Sequence, residues 1–523
     1  MRTHHPRTLR WAGHGVLATL VGIGLAHLTA ALTDPAASPV LAVGSTVIDL
    51  TPTPMKEWAI RTFGSADKAV LVGSVLTGAL ALAALAGVAA RRRLVVGAGV
   101  LVALVGVAAL AALRRPAAGP SDLAPSLVAA VAGATALCLL ARVERTRRPA
   151  HDGDARADRA AGADRAGGAE GGRRALLLTV TALGAVAALG GLGGRLVSSL
   201  RARPEDVTLP PPADPAPALP RGLDDQVPGI TRFRTPNRDF YRVDTRLDVP
   251  VVSADDWTLT IDGDVDRSVT LDFDELLALP MIERDITLTC VSNSVGGPYV
   301  GGARWLGVRL TDLLDLAGIG RTRADQLLST DVAGMTISTP LRLATDGRDA
   351  LVAVGMNGEP LPRAHGFPAR LVVPGLYGFI GATKWLRRLT LTTYAEREAY
   401  WTERGWATDA PIKISARIDT PRALAELDAG EVVIGGIAWA QERGGVAAVQ
   451  VRVDGGPWVD ARLGPDGGDD YWRQWFHRWT AAPGSHRIAV RAVAGDGQTQ
   501  TADRTEPFPD GASGLHELLV RVS

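Results

Sequence analysis

Apolar residues fall into two regimes along the chain. Up to about position 200 they form long runs, and five of these, at 11–32, 69–90, 94–113, 123–141 and 175–194, carry little or no charge. A hydrocarbon core of about 30 Å takes roughly 20 helical residues, so each run predicts a membrane-spanning helix. The first run outlasts the apolar core of a cleavable signal and more spans follow it, so it reads as a retained helix.

Beyond the runs the period shortens. Residues 257–261 alternate as a strand before the turn pair Asp262-Gly263, and 272–279 and 310–317 read as short helices, the second closed by Gly318. Residues 286–290 alternate again and place Cys290 on one face with Ile286 and Leu288. From about 411 onward strands are predicted at 432–438, 449–453, 472–479, 488–493 and 518–522, with turns at Asp454-Gly455 and Asp496-Gly497. That rhythm predicts an all-β immunoglobulin-like sandwich without its cysteine pair. Between the regimes, Pro204, Pro210, Pro211, Pro212, Pro215, Pro217, Pro220 and Pro228 predict an extended spacer. The expected organisation is therefore a five-helix all-α transmembrane bundle (1–200), a Pro-rich linker (201–228), an α+β domain (229–410) and the sandwich (411–523).

Charge around the spans sets their orientation. Arg2, Arg7 and Arg10, then Arg91, Arg92 and Arg93, then the Arg-rich stretch 142–174 fall on one side. The other side holds Lys56, Arg61 and Lys68 in one loop and Arg114 and Arg115 in the next. The richer side is cytoplasmic by the positive-inside rule, which leaves the C-terminal half extracytoplasmic. Segment 151–172 reads as a flexible charged loop. Arg173-Arg174 before an apolar run fits two readings, a twin-arginine export signal and plain positive-inside anchors. His14 and His27 both lie on the first run, so no second helix offers an opposing haem ligand, and the default role of the spans is anchorage.

Composition narrows the classes further. Lys plus Arg number 56 against 55 Asp plus Glu, a net charge of +1, which removes the electrostatic case for nucleic acid. Of 12 tryptophans, two precede position 250, so the aromatic, core-forming part is the C-terminal half. Two cysteines, Cys138 in a span and Cys290 outside it, exclude a disulfide scaffold. No C-x-x-C or H-E-x-x-H motif is present.

Two stretches carry candidate chemistry. Cys290 ends a strand and opens onto Val291-Ser-Asn-Ser-Val-Gly-Gly297, and the following Gly301-Gly302 adds a second close-approach segment. A lone cysteine is commonly a small buried apolar residue; at the mouth of a glycine-bearing loop it is also a candidate thiolate ligand for a redox metal. The second stretch runs from Met356 to Gly375 and on through Tyr377, Thr383 and Trp385. It gathers His365, Arg370 and Lys384 among turn residues, a set suited to gripping a phosphate.

The paired blocks LTCVSNSVGG…ARWLGVRLTDLL and MNGEPLPRAHGFPARLVVPGLYG…TKWL resemble the sulfite oxidase family of molybdenum enzymes, over roughly 233 to the C-terminus. The resemblance implies a molybdenum held by one molybdopterin, with Cys290 as the protein ligand and catalytic residue. It also implies pterin and phosphate contacts from His365, Arg370, Thr383 and Lys384. The Asn237-Arg-Asp-Phe-Tyr-Arg242 segment resembles the family's N-terminal loop, which adds Asn237, Tyr241 and Arg242, and Asp331 is placed on a strand reaching the pterin. Dimerisation through the sandwich is a further implication.

Two departures bear on substrate. Sulfite oxidases carry an arginine directly after the Cys-x-x-Asn stretch, where this chain has Ser294 and Val295, and Met335 takes the place of an active-site tyrosine. Arg304 and Arg473 are candidate replacements for the missing cation. The expected function is membrane-anchored, extracytoplasmic two-electron oxygen-atom transfer on a small molecule, with electrons exchanged with a separate protein or quinone-linked partner. The alternatives are reduction of sulfoxides, including methionine sulfoxide, and a non-enzymatic exterior scaffold.

Overall fold

The computed structural model describes residues 5–63, 66–115, 118–146, 162–200 and 207–523. It divides into two compact units, Met1–Ala202 with Thr245–Val251, and Arg203–Asp244 with Val252–Ser523.

The first unit contains helices α1 (His5–Leu32), α2 (Pro39–Leu50), α3 (Thr53–Phe63), α4 (Asp67–Arg92), α5 (Leu94–Leu113), α6 (Ala124–Thr146) and α7 (Gly162–Leu200). Among the described residues, five helical stretches are long and apolar enough to cross a membrane: Arg7–Leu32, Asp67–Arg92, Leu94–Leu113, Pro120–Arg145 and Arg174–Val197. Small residues let α1 approach its neighbours closely. A Cβ on Gly15 would run into the backbone of α4 at Ala83 and Gly87, and one on Gly22 into Ala129 of α6. Helices α2 and α3 are not visible as spans in the hydropathy pattern because both are too short. Helix α7 begins at Gly162, so the second half of the segment read as a loop is helical, while 147–161 lie outside the described residues. Extending an existing helix adds a hydrogen bond per residue without a new nucleation cost.

In the second unit the strands before position 400 are β1 (Thr258–Gly263), β2 (Val269–Asp272), β3 (Met281–Thr289), β4 (Val300–Arg309), β5 (Gln326–Asp331), β6 (Thr336–Pro340), β7 (Leu351–Met356), β8 (Glu359–Pro360), β9 (Arg370–Val372) and β10 (Leu386–Thr392). They form a sheet in the order β2-β1-β10-β5-β6 and another in the order β3-β4-β7-β8, with β9 also on β7. Helix α8 (Phe273–Leu277) starts at a reciprocal cap in which Asp272 accepts from Glu275 N and the Glu275 side chain accepts from Asp272 N. Helix α9 (Leu310–Ala317) ends on Gly318 at φ 76°, as its sequence predicts. Trp257, Leu259, Leu313, Val352 and Leu389 belong to the core shared by these elements.

Strand β3 is an edge strand, and its free edge is covered. Ala213 N donates to Met281 O at 2.8 Å and Glu283 N to Asp214 O at 2.9 Å. The Pro-rich stretch, read as a free spacer, thus lies along the domain over its described part, 207–228. Prolines keep it extended, but Val207, Leu209 and Leu219 give it apolar contacts with the core, and Leu223, Val227 and Ile230 cluster with Val433 and Phe476. An open edge would expose unpaired backbone groups, so covering it serves the sheet as well.

The C-terminal region is β-rich. Strands β11 (Ser415–Thr420), β12 (Glu426–Leu427), β13 (Gly430–Trp439), β14 (Val446–Val453), β15 (Val459–Asp460), β16 (Arg462–Leu463), β17 (Arg473–Ala481), β18 (Gly484–Ala494) and β19 (His516–Val522) form two sheets, β11-β13-β17-β16 and β12-β19-β18-β14-β15. Ile434 and Trp475 from the first share a core with Val449, Val490 and Leu518 from the second.

Candidate active site

Strand β3 delivers Cys290 to the end of its sheet. Cys290 N donates to Tyr299 O at 3.0 Å and Asn293 N to Cys290 O at 3.0 Å, so the chain turns immediately. The buried Asn293 closes the loop by accepting from Tyr299 N at 2.8 Å through its Oδ1. Burial raises the pKa of the Cys290 thiol, opposed by hydrogen bonds from Ser292 and the positive charge of Lys384.

Arg370, the first residue of β9, is buried beside this turn, its guanidinium 4.9 Å over the Trp305 ring. Its Nη1 donates to His365 O at 3.1 Å and its Nη2 to Ala382 O at 3.4 Å, while Nε is buried without a partner. Burial pulls its pKa down to about 10. His365 is buried as well, and its Nε2 donates to the Asn237 carbonyl at 2.8 Å, leaving Nδ1 as the acceptor. Desolvation outweighs that bond, and with the charges of Arg370, Lys384 and Arg242 it takes the imidazole pKa down to about 4. Gly366 follows at φ 115°, and a Cβ there would crowd Arg370 Cβ at 3.0 Å and Lys384 Cα at 3.1 Å. Glycine at this point lets the His365 loop close onto both cations.

Lys384 Nζ donates to Asp244 Oδ2 at 2.5 Å and to Val243 O at 3.3 Å. Arg242 grips the same carboxylate, Nε to Oδ2 at 2.8 Å and Nη2 to Oδ1 at 3.2 Å. Burial still lowers the Lys384 pKa to about 8, with Asp244 pulling the other way. Arg242 and Lys384 thus share the Asp244 carboxylate, and Arg370 joins them around the His365 loop. Burial is the first cause of both depressed pKa values, and a dianionic phosphate would complement cations held in so little water.

The remaining expected residues lie around this group in different ways. Thr383 is buried, its Oγ1 2.5 Å from Ser329 Oγ. Tyr241 stacks on Phe240 at 5.2 Å, and burial and the nearby Cys290 push its phenol pKa far up, so it stays protonated. Asn237 directs its side chain to the β7–β8 turn: Nδ2 donates to Met356 O and Glu359 Oε2, both at 3.1 Å, and Oδ1 accepts from Asn357 at 2.8 Å. What Asn237 brings to the cluster is its carbonyl, on His365. Asp331 sits opposite Leu386 in the β5–β10 pair, and its Oδ1 accepts from Ala333 N at 2.8 Å and Met335 N at 3.0 Å, closing the hairpin turn.

Neither candidate replacement cation is brought to the cysteine. Arg304 is tied to Asp285 by Nη2 at 2.5 Å and Nε at 3.0 Å, and to Glu283 at 3.3 Å. Arg473 donates to Gly464 O at 3.2 Å and Val446 O at 3.0 Å within the C-terminal region. Asp244, Trp305 and Tyr377 escape sequence reasoning. Tyr377 is a buried phenol whose pKa is raised by burial first and by the nearby Cys290 as well. A buried cation in want of a carboxylate was the one available signal, and it pointed to no particular aspartate.

Residues fit a molybdopterin on two counts: an unpartnered N–H on a buried arginine, and positive charge around a glycine-permitted close approach. Comparison with known proteins agrees. Residues 246–401 match the model of the oxidoreductase molybdopterin binding domain. Mitochondrial sulfite oxidase of Homo sapiens is 32% identical over 324 residues, covering 53% of this chain and 58% of that protein. Sulfite oxidase of Gallus gallus is 30% identical over 290 residues, 47% of this chain and 62% of the relative. Among solved structures, the sulfane dehydrogenase SoxCD from Paracoccus pantotrophus aligns with TM-score 0.49 and 22% identity, over 56% of this chain and 84% of that one. The match spans 49% of the rat and 58% of the human sulfite oxidase. The matched range takes in Cys290, His365, Arg370 and Lys384, so the chain carries an oxidoreductase molybdopterin binding domain over 246–401 and is similar there to the sulfite oxidases.

Proposed function

We propose that the chain is a membrane-anchored molybdenum oxidoreductase that transfers one oxygen atom and two electrons to or from a small substrate outside the cytoplasm. The observation that carries this reading is a strand-end thiol, Cys290, that feels the charge of Lys384, in a site that also holds the buried Arg370. When bound, the cofactor supplies a molybdenum that changes oxidation state by two electrons and exchanges one oxygen with the substrate.

The protein's own groups have separable tasks. Cys290 is the thiolate ligand, its sulfur steadied by the Ser292 hydrogen bonds. Arg370, Lys384 and Arg242 hold the pterin phosphate, and His365 and Thr383 line the same cradle. Tyr241 remains a phenol at working pH and offers a donor beside the thiolate. Asp331 and Asn237 shape the turns that carry these groups. The C-terminal region is read as an immunoglobulin-like sandwich.

Five apolar helices and their basic flanks support a reading with the N-terminus in the cytoplasm and the cradle on the other side. Electrons then pass to a separate carrier protein or quinone-linked partner. A sulfoxide, including methionine sulfoxide, is the second substrate reading. It is favoured by one observation: loop 291–299 holds no cation and Arg304 is committed to Asp285 and Glu283, so a neutral substrate suits the site better than a dianion. Steady-state assays of the purified full chain with sulfite as donor and methionine sulfoxide as acceptor test the function. Turnover of either supports oxygen-atom transfer and assigns its direction; a molybdenum-loaded protein turning over no oxyanion or sulfoxide would contradict it.

A further inference from the structure

The C-terminal β-region grips the chain on both sides of Cys290. Before it, Thr287 is fully buried, and its three polar groups are all taken by that region. Thr287 N donates to Asp470 O at 2.9 Å, its carbonyl accepts from Gln441 Nε2 at 2.5 Å, and its Oγ1 accepts from Trp472 N at 2.9 Å. Thr287 can face that way because β3 is an edge strand, with β4 on its other side only.

After the cysteine, Arg417 of β11 donates from Nη1 to Gly297 O at 2.9 Å. Arg417 is itself aimed by Asp419, at 2.7 Å from Nε, and by Thr231 Oγ1, at 2.6 Å from Nη2. His516, at the start of β19, packs against Gly296, which has φ 77° and no room for a Cβ beside that ring. The His516 ring is fixed in turn because Nδ1 accepts from Ile418 N at 3.0 Å.

We propose that Thr287, Arg417 and His516 are positioning residues for the Cys290 sulfur, so that the C-terminal β-region is a working part of the metal site. A ligand sulfur must point within a few tenths of an ångström of one direction, and a strand end followed by a glycine-bearing loop does not supply that rigidity alone. The two strand-side and loop-side anchors flank the cysteine by three residues before and seven after, and they convert a flexible turn into a braced one. This inference deepens the reading of Cys290 as the metal ligand and rests on it.

The test uses the full-length chain, in a Cys138→Ala background so that one thiol reports, prepared free of cofactor. The rate of Cys290 alkylation by iodoacetamide is measured for the parent, Thr287→Val, Arg417→Ala and Arg417→Lys, with Arg478→Ala, an exposed partner of Glu431, as control. The expected result is a rise of about tenfold or more for Thr287→Val and Arg417→Ala, a smaller rise for Arg417→Lys, and none for the control. The same ranking is expected in the cofactor-loaded proteins as displacement of the sulfur-to-molybdenum charge-transfer absorption. Should Arg417→Ala fail to fold, Thr287→Val, which removes a single hydroxyl, carries the test. Parent-like alkylation rates and an unmoved band in folded variants would overturn the proposal. Molybdenum retained by the parent and lost by Cys290→Ser would leave the ligand reading standing in that event, so the two failures are distinguishable.

Discussion

Lys384 and Asp244 lie 140 residues apart in the chain and meet at 2.5 Å beside the cysteine turn. The carboxylate is buried, and Arg242 closes on it from the other side at 2.8 Å. One aspartate therefore bridges two cations, which makes it the organiser of the cradle.

Removing that carboxylate alone takes from Lys384, 12% exposed, the acidic group it holds at 2.5 Å, and loosens Arg242 as well. Asp244→Asn is expected to destabilise the cofactor-free protein by about 3 kcal/mol, the cost of breaking a buried pair from one side. Replacing both partners, Asp244→Leu with Lys384→Met, is expected to cost less. Thermal unfolding of the two variants beside the parent checks the order.

Arg370 offers the opposite sign. Its Nε is buried and unpartnered, so Arg370→Met should leave the empty protein as stable or more so, while weakening cofactor retention about 10- to 100-fold, the worth of a charged hydrogen bond. Pterin released per chain, read by fluorescence, measures retention, and a melting curve of the empty variant measures stability. Arg370→Lys should fall between.

Much of this was legible in the chain, and the failures have physical causes. Runs of about 20 apolar residues and the Gly318 helix cap are local signals, and they hold; the helix read at 272–279 is shorter, 273–277, with Asp272 as its cap. Cys290, His365, Arg370 and Lys384 converge because one β-strand end and one turn-rich block carry them. Asp244 was hidden because a carboxylate two residues after Arg242 looks like any surface charge until the fold brings Lys384 to it. Arg304 looked available because sequence does not show that Asp285 and Glu283 face it across β3 and β4. The prolines of 207–228 announced an extended backbone but not the sheet edge it would cover.

Acid should loosen the brace on the cysteine loop. His516 has a folded pKa of about 4, set by burial and by Arg417 and Arg504 against the opposing charge of Asp419, and its Nδ1 must keep a lone pair for Ile418 N. The unfolded chain takes a proton near the ordinary value of 6.5 and the folded chain does not, so this site's stability is full above 6.5 and is lost as pH falls toward 4. The loss is on the order of 3 kcal/mol. Unfolding of the parent and His516→Asn at a series of pH values checks it: the parent should lose ground to the variant between those limits and run parallel outside them.

Gly302 faces a rigid aromatic pair. A Cβ there would stand 2.7 Å from the Tyr471 ring and 2.9 Å from Trp472, whose polar groups both donate to Phe233 O, at 2.7 and 2.8 Å. Neither ring can retreat without losing that bond, so Gly302→Val should destabilise by about 1–3 kcal/mol. Denaturant unfolding reads the change directly.

The central claim is that the Cys290 sulfur is bound to molybdenum in the working protein. Elemental analysis of the full chain and of Cys290→Ser, both purified from a host that makes molybdopterin, tests it most directly. The account predicts close to one molybdenum per parent chain, with the metal lost from the variant or retained without its thiolate absorption. A folded parent free of molybdenum, or a variant that keeps both metal and band, would contradict it.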